Sequence, residues 1–157
     1  CSWGLAAGGP HLYLGYLPVG EDPRPGRVEV RDAHVAQLLG SWENTGGRLR
    51  GLFAVPETPA GAGRAGKPAQ VLLFRDAAGG NTELLVLDRL LQGSPRVLLL
   101  SGPFARVLGV HGSTMAYVDR AFQTGQTRVA LVFYDLEAGR ELKRVDVRDF
   151  IVGESGT

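Results

Sequence analysis

The sequence is poor in cysteine, because its 157 residues contain only one, at position 1. A single cysteine excludes an internal disulfide framework and any zinc or iron–sulfur site built from several thiolates. Methionine occurs once, asparagine twice and lysine twice, against fifteen arginines. Few Asn, Met and Cys residues are typical of thermophilic proteins. GC-rich coding produces a similar bias, so both explanations remain open.

The sequence also lacks an excess of charge of either sign. Seventeen basic and sixteen acidic residues leave a formal net charge of +1. The basic residues are spread along the chain, and many stand beside an acid, as in Arg75-Asp76 and Arg148-Asp149. Binding a polyanion requires clustered positive charge that neutralises phosphates. We therefore expect no nucleic-acid partner.

Long hydrophobic runs and long amphipathic helices are absent as well. The apolar runs are short, such as the four residues 97–100, so the sequence predicts no transmembrane helix. No segment of about twelve residues or more combines helical periodicity with caps, and residues 32–39 allow one or two helical turns at most. Hydrophobic residues nonetheless make up 44% of the chain, which is enough for a buried core.

What the sequence does contain is a series of short strands separated by turns. Eleven runs are rich in β-branched, aromatic or other apolar residues and are bounded by Gly, Pro, Asn or Asp. They are residues 12–17, 27–31, 34–39, 49–55, 70–75, 83–88, 96–100, 106–110, 114–119, 127–134 and 141–147. Residues 71–74 and 130–133 are apolar throughout, which predicts burial on both faces. The sequence therefore predicts an all-β protein of about eleven short antiparallel strands. Its architecture is an incomplete propeller-like array of blades, a β-sandwich or a β-barrel.

A weak internal repeat favours the blade array. Three stretches, 12–39, 52–88 and 114–147, share the order strand, loop, strand ending near an acidic residue, turn, strand. The acidic markers are Asp32, Asp76 and Asp135, and they are 44 and 59 residues apart. A step of about 44 residues matches a four-stranded propeller blade, and the longer step needs an insertion of about fifteen.

The third copy carries a resemblance to a known family. Residues 131–142, with the sequence LVFYDLEAGREL, resemble the outer two strands of bacterial β-propeller blades of the YVTN and quinoprotein-like type. In those blades an apolar strand ends in Asp, a Gly-containing turn follows and a polar strand begins. The resemblance implies blade-like sheets, but three copies cannot close a ring that needs at least about four blades. A fragment of a longer propeller, an open array completed by a partner and a sandwich of hairpins all remain open.

The first two residues carry a second resemblance. Cys1-Ser2 resembles the start of a mature bacterial lipoprotein. This implies a diacylglycerol on the Cys1 thiol and an acylated amine, which together would anchor the chain to a membrane. A cleaved tag or an arbitrary fragment start leaves the same first residue. Residues 1–10, which include Gly8-Gly9-Pro10, are predicted to be a flexible tether, and residues 11–157 a single all-β domain.

Residues 61–68 resemble a phosphate-binding loop but lack its structural context. The segment GAGRAGKP contains G-x-G-x-x-G and nearly matches the P-loop, yet Pro68 stands where the P-loop has Ser or Thr. Both motifs require a helix next, whereas residues 70–75 are predicted to be a strand. We therefore predict a hairpin loop and no nucleotide. The three histidines lack metal-ligand spacing, and no residues are spaced for catalysis, so no metal, cofactor or catalytic residue is predicted.

Trp42 is the one aromatic residue that the sequence places in a polar loop, over residues 40–47. Such a Trp either anchors a partner or covers the end of a sheet. Together these observations predict a non-enzymatic, extracytoplasmic binding or assembly module, lipid-anchored at Cys1, in a bacterial envelope complex. Its partners would be other envelope proteins, which exposed strand edges can recruit by strand addition. Two alternatives remain: part of a β-propeller enzyme or periplasmic sensor, and a small-ligand β-barrel.

Overall fold

The computed structural model describes residues 2–123 and 125–147, and most of these residues lie in strands. There are twelve strands and one 3-10 turn, Ala78–Gly80, and the described chain has no α-helix. The all-β prediction is confirmed, with twelve strands in place of the eleven expected. The strands form three separate four-stranded antiparallel sheets, each open at two edges, which differs from the closed barrel kept as an alternative.

Sheet 1 contains the first four strands in chain order: β1 (Ser2–Gly8), β2 (His11–Leu17), β3 (Arg27–Asp32) and β4 (Leu38–Glu43). The presence of β1 differs from the tether predicted over residues 1–10. Seven residue pairs join β1 to β2, from Ser2 opposite Leu17 to Gly8 opposite His11. A partner strand therefore satisfies the backbone of a Gly- and Ala-rich segment with little β propensity of its own.

The position of β4 corrects the strand predicted over residues 34–39. The Oδ1 atom of Asp32 accepts hydrogen bonds from the backbone N–H groups of His34, at 2.8 Å, and Val35, at 3.1 Å. Asp favours turns because its side chain can bond the backbone two or three residues on. Residues 33–37 therefore form a turn, and the strand begins at Leu38.

Sheet 2 contains the next four strands in chain order: β5 (Leu49–Val55), β6 (Gln70–Asp76), β7 (Thr82–Asp88) and β8 (Arg96–Leu100). The prediction that residues 71–74 are buried on both faces is confirmed. All four side chains have zero exposure, and they are Val71, Leu72, Leu73 and Phe74. An inner strand that is apolar throughout forms where both faces of a sheet are covered.

Sheets 1 and 2 share one hydrophobic core. Tyr13, Val28 and Val30 of sheet 1 cluster with buried residues of sheet 2 that include Leu73 and Leu85. Burying each large apolar side chain stabilises the fold by about 1.5–3 kcal/mol relative to exposure. The hydroxyl of Tyr13 donates a 2.8 Å hydrogen bond to the carbonyl oxygen of Arg89, so this core tyrosine leaves no polar atom unsatisfied.

Sheet 3 contains the last four strands: β9 (Phe104–His111), β10 (Thr114–Gln123), β11 (Gln126–Asp135) and β12 (Arg140–Asp146). Met115, Tyr117, Val132 and Tyr134 are buried, which is the period-two pattern of a sheet with one covered face. The prediction that residues 130–133 are buried on both faces is therefore wrong. Of these four side chains only Val132 is buried, and the others are partly exposed.

Contacts between residues divide the chain into two compact units, where a single domain over 11–157 was predicted. The first contains Cys1–Ala77 and Glu83–Leu98, and the second contains Ala78–Thr82 and Leu99–Thr157. The first unit holds sheet 1 and most of sheet 2, and the second holds sheet 3. The three repeats predicted at 12–39, 52–88 and 114–147 fall within sheets 1, 2 and 3 respectively.

The third strand of every sheet ends in an aspartate that builds the following turn. The residues are Asp32, Asp88 and Asp135. In each case Oδ1 accepts two backbone N–H groups from the next few residues, at 2.8 to 3.1 Å. Asp76, the marker chosen from the sequence, is wrong as an equivalent because it ends the second strand of sheet 2. The equivalent residue is Asp88.

A left-handed residue follows each of these aspartates by three or four positions. The residues are Ala36, Leu91 and Gly139, with φ of 58°, 61° and 70°. Their N–H groups donate to the carbonyl oxygens of Asp32, Asp88 and Asp135 respectively. Each sheet therefore closes this turn with an aspartate and a left-handed residue, although the turn after Asp88 is one residue shorter and only the third sheet has the glycine that suits this conformation.

Candidate functional site

Of the two site residues predicted from the sequence, the structure describes only Trp42. Cys1, the predicted lipidation site, lies outside the described residues. Trp42 is in strand β4, opposite Val28, and the loop predicted around it over residues 40–47 is wrong. Its side chain is half-buried and packs against the core of the first unit. The side chain of Trp42 therefore helps to cover the core of the first unit. Its role as a contact for a partner stays a prediction.

The segment 61–68 is a hairpin loop, as predicted. The loop that joins β5 to β6 is exposed over residues 56–68, and antiparallel bridges link Thr58 with Lys67 and Gly61 with Arg64. Strand β6 follows it, so no helix N-terminus stands where a phosphate site needs one.

Within residues 2–123 and 125–147, no three His, Cys, Asp or Glu side chains are grouped as a metal site would require. His11 begins β2, His111 ends β9, and His34 lies in the turn after Asp32. Over the same residues, the structure has no helix long and apolar enough to cross a membrane.

The most open apolar surface on a single strand lies on β8, an edge strand of sheet 2. Val97 is 49% exposed and Leu99 is 62% exposed, and as residues i and i+2 they share one face. After Arg96 the strand contains neither charge nor proline. Apart from its shortness and Arg96 at its start, this edge strand carries no charge or proline that would discourage pairing with another chain. We call this surface, Val97 and Leu99 with the outer backbone of β8, the β8 edge.

Three of the other edge strands, β4, β9 and β12, carry devices that discourage such pairing. Strand β12 has five charged residues out of seven, which are Arg140, Glu141, Lys143, Arg144 and Asp146. The pairing of β9 with β10 and of β4 with β3 is interrupted by register shifts. Charge and bulges both hinder the addition of a further strand. The β8 edge is thus set apart from β4, β9 and β12.

A second surface feature is a cavity of about 260 Å³ in the first unit, between two loops. The first loop, residues 18–26, joins β2 to β3 and contributes Pro18, Pro23 and Pro25. The second loop, residues 44–48, joins β4 to β5. The lining carries two guanidinium groups, those of Arg24 and Arg48, and one carboxylate, that of Asp22. We call this the arginine cavity.

Asp22 and Arg24 are held in place on one side of the arginine cavity. Oδ1 of Asp22 accepts from the backbone N of Arg24 at 3.1 Å and from its Nε at 3.0 Å. Oδ2 accepts from Nη2 of Arg24 at 2.9 Å and from the hydroxyl of Tyr16. The Arg24 guanidinium also lies 4.9 Å from the centre of the Tyr16 ring, which adds a cation–π contact.

These contacts decide how the three groups titrate. The hydrogen bonds from Arg24 and then from Tyr16 hold the pKa of Asp22 well below its usual value, because they stabilise the ionised carboxylate. The hydrogen bond to Asp22 raises the pKa of Tyr16 and that of Arg24. With about four acceptor positions on a carboxylate, four hydrogen bonds use the whole capacity of Asp22.

The second loop, residues 44–48, is held in place by the buried side-chain amide of Asn44. Asn44 is buried, its Nδ2 donates to the carbonyl oxygen of Gly47 at 2.6 Å, and its Oδ1 accepts from the N–H of Gly46 at 3.3 Å. The Arg75 guanidinium also reaches Asn44 Oδ1 at 3.3 Å, and it pairs with Glu83 at 2.6 Å. A Cβ on Gly46 would stand 2.6 Å from Cζ of Arg75, so a side chain there would displace this guanidinium.

Arg48 is the cation of this cavity that no acid neutralises. Its Nη2 donates to the carbonyl oxygen of Gly20, which ties the two loops together. Among the described residues, no carboxylate lies within 4.0 Å of its guanidinium, although Arg24, Arg75 and Arg144 each have an acidic partner. The arrangement is therefore suited to binding an anion.

The arginine cavity and the β8 edge were both missed in the sequence. Pro18, Pro23 and Pro25 in one connection pointed to an ordered loop, because proline restricts the backbone. Nothing in the sequence indicated that this loop meets residues 44–48. The strand predicted over residues 96–100 is present as β8, but nothing in its apolar composition indicates that Val97 and Leu99 are exposed.

Comparisons of the chain with protein-family models, with curated proteins and with solved structures found no match. Function is therefore argued from the two surfaces themselves.

Proposed function

We propose that the chain is a binding and assembly module of a bacterial envelope complex rather than an enzyme. In this proposal a lipid on Cys1 anchors it to the membrane on the extracytoplasmic side. Its partner is another envelope protein, which supplies an extended, alternating apolar segment that adds to sheet 2 alongside β8. The observation that carries the proposal is the β8 edge, where Val97 and Leu99 are 49% and 62% exposed.

Strand addition uses both parts of this surface. The outer backbone of β8 offers N–H and C=O groups, which give affinity to an added strand. The exposed side chains of Val97 and Leu99 lie on one face of the strand and give specificity for apolar side chains at alternate positions of the partner. Leu100, next along β8, is buried.

The binding surface is tested by site-specific photo-crosslinking in the native host. A photoreactive residue at position 97 is expected to crosslink to a protein that mass spectrometry identifies as carrying a secretory signal. The substitution Leu99→Lys is expected to abolish that product, because a charge on an edge strand opposes pairing. The matched control is Leu142→Lys on β12, at a leucine that is 49% exposed. Crosslinks only to cytoplasmic proteins, or equal loss in both variants, contradict the proposal.

The lipid anchor is tested separately by the intact mass of the protein purified from its native host. The measured mass is expected to exceed the polypeptide mass by a diacylglycerol and an N-acyl chain. Replacing Cys1 by Ser is expected to release the protein from the membrane fraction, since several acyl chains provide stable anchoring. An unmodified Cys1 in the native host would contradict the proposed lipid anchor. It would not bear on the β8 edge, which the crosslinking experiment tests.

A second candidate function is part of a β-propeller enzyme or periplasmic sensor. It is supported by the turn that Asp32, Asp88 and Asp135 build after the third strand of each sheet, since repeated sheets are the units of a propeller. The complete reading frame tests it: additional segments with the same aspartate turn favour this candidate, and their absence favours the assembly module.

A further inference from the structure

We propose that the arginine cavity binds a small molecule bearing a single carboxylate, held by the guanidinium fork of Arg48 with Arg24 as the second cation. The site is independent of the β8 edge and of the lipid anchor. It lies entirely within the first unit, between the loops of residues 18–26 and 44–48.

Arg48 supplies the first contact. The only hydrogen bond that its guanidinium makes with the described residues runs from Nη2 to the carbonyl oxygen of Gly20, a neutral acceptor. The positive charge is thus uncompensated, and the other N–H groups of the fork remain available. A planar guanidinium matches the two oxygens of a carboxylate and can form two parallel hydrogen bonds with them.

Arg24 supplies a second cation whose position is already fixed. Two hydrogen bonds from its guanidinium to Asp22 and the ring of Tyr16 hold its side chain, so little conformational freedom is lost when a ligand binds. Asp22 has its acceptor positions filled by Arg24 and Tyr16, and it therefore serves to orient Arg24 rather than to attract a cation.

The charges of the lining favour a monoanion over a dianion. Two guanidinium groups and one carboxylate leave one positive charge in excess, and no lysine lines the cavity. One carboxylate neutralises that excess. A phosphate, with about 1.5 to 2 negative charges at neutral pH, would leave negative charge uncompensated in the site.

The size of the cavity favours a compact ligand, and three prolines in an otherwise largely polar lining allow that ligand a small apolar part. Pro18, Pro23 and Pro25 present ring carbons and have no backbone N–H to donate. The volume of about 260 Å³ is below the usual range of sites for drug-sized ligands, about 300–1,000 Å³. A single ring with a carboxylate substituent meets both conditions, and benzoate is the simplest probe of that kind.

The test is a titration of the full chain with benzoate, followed by nuclear magnetic resonance. Benzoate is expected to shift the amide signals of Gly26 and Gly46 saturably, with a Kd on the order of 1 mM, a modest affinity that suits a single bidentate pair. Benzamide has the same ring without the charge and is expected to shift them at least about tenfold more weakly. Inorganic phosphate at the same concentration is expected to bind more weakly than benzoate.

Variants assign the contact to Arg48. Arg48→Met is expected to weaken benzoate binding at least about tenfold, and Arg48→Lys by a smaller factor, because Lys keeps the charge but not the fork. The control is Arg140→Met, which removes the same charge from an exposed arginine of β12 and is expected to leave benzoate binding unchanged. Amide signals outside the two loops report whether each variant keeps its fold.

Several outcomes would overturn the proposal. Equal binding of benzoate and benzamide would show that charge is not recognised, and this comparison uses only the unaltered protein. Tighter binding of phosphate at the same signals would assign the cavity to a phosphate ligand instead. Equal affinity of folded Arg48→Met and the unaltered protein, or no saturable shift with benzoate, would exclude the site.

Discussion

Nη1 of Arg144 lies 2.6 Å from Oδ2 of Asp119, and the carboxyl group that it neutralises is buried in sheet 3. The same guanidinium donates to the carbonyl oxygen of Ser101 at 3.2 Å and pairs with Glu141 at 2.9 Å. Oδ1 of Asp119 is buried and makes no hydrogen bond with any described residue, so Arg144 is the charge that compensates this acid. One partly exposed arginine thus connects β10, β12 and the turn before β9.

Removing this arginine is expected to destabilise the protein markedly. Arg144→Met leaves the Asp119 carboxylate buried without a counter-charge, and we expect the free energy of unfolding to fall by about 2–4 kcal/mol. Urea unfolding followed by circular dichroism measures the change. The double variant Arg144→Met with Asp119→Leu is expected to recover part of the loss. Arg140→Met on the same strand is the control, at about 0.5 kcal/mol or less.

The turn geometry predicts opposite effects at two equivalent positions. Gly139 has φ of 70°, so Gly139→Ala places a Cβ in a left-handed conformation and is expected to cost about 1 kcal/mol. Ala36 already has φ of 58° in the equivalent turn, and Ala36→Gly is expected to stabilise the protein by about 0.5 kcal/mol. Chemical denaturation of both variants tests this, and effects of the same sign at the two sites would contradict it.

Asp22 makes the loop of residues 18–26 sensitive to acid. Its pKa is lowered in the folded protein by Arg24 and Tyr16, so its contribution to stability is present above the unfolded pKa. That contribution is lost as the pH falls below about 4 toward the folded pKa. We expect Asp22→Asn to be less stable than the unaltered protein at neutral pH, and the difference to shrink on acidification. Urea midpoints measured between about pH 6 and pH 2 test this.

The exposed Glu57 provides the matched control for that experiment. Glu57→Gln also removes one negative charge, but Glu57 lies in the exposed loop between β5 and β6. We expect its difference from the unaltered protein to stay near zero across the same pH range. A difference for Asp22→Asn that does not depend on pH would show that the ionised carboxylate does not support the loop.

The β8 edge predicts self-association of the isolated protein at high concentration. Leu99→Lys is expected to raise the concentration at which light scattering detects oligomers, because charge on an edge strand opposes pairing. The free energy of unfolding is expected to change by about 0.5 kcal/mol or less, since Leu99 is 62% exposed. Leu142→Lys on the charged strand β12 is expected to leave the association unchanged.

The sequence was a good guide to most strands because their local signals agree with their positions. Residues 49–55 form a strand within exactly the predicted limits, and the apolar residues 71–74 are fully buried. It failed at residues 2–8, where β1 owes its existence to pairing with β2 rather than to its own composition. It also failed at residues 34–39, where the side chain of Asp32 competes with strand hydrogen bonding.

The two surfaces could not be predicted because they depend on which segments meet. Arg24 and Arg48 are 24 residues apart in the sequence, and only the folding of sheet 1 brings their loops to one cavity. The exposure of Leu99 depends on whether another segment of the chain packs on β8, and the apolar composition of the strand does not reveal this. The repeat is visible in the sequence, but the marker chosen for its second copy is wrong. Asp76 and Asp88 both end strands, and the sequence does not show which of them ends the third strand of sheet 2.

The pairing of Ser2 with Leu17 has a mechanical consequence for the proposed anchor. Strand β1 leaves no slack between position 2 and the folded sheet, since all seven of its residues are paired with β2. A lipid on Cys1 would therefore hold sheet 1 close to the bilayer surface, without a flexible linker between them. Leu17, the partner of Ser2, is followed immediately by Pro18, so the loop of residues 18–26 starts at the same end of sheet 1 as the proposed anchor.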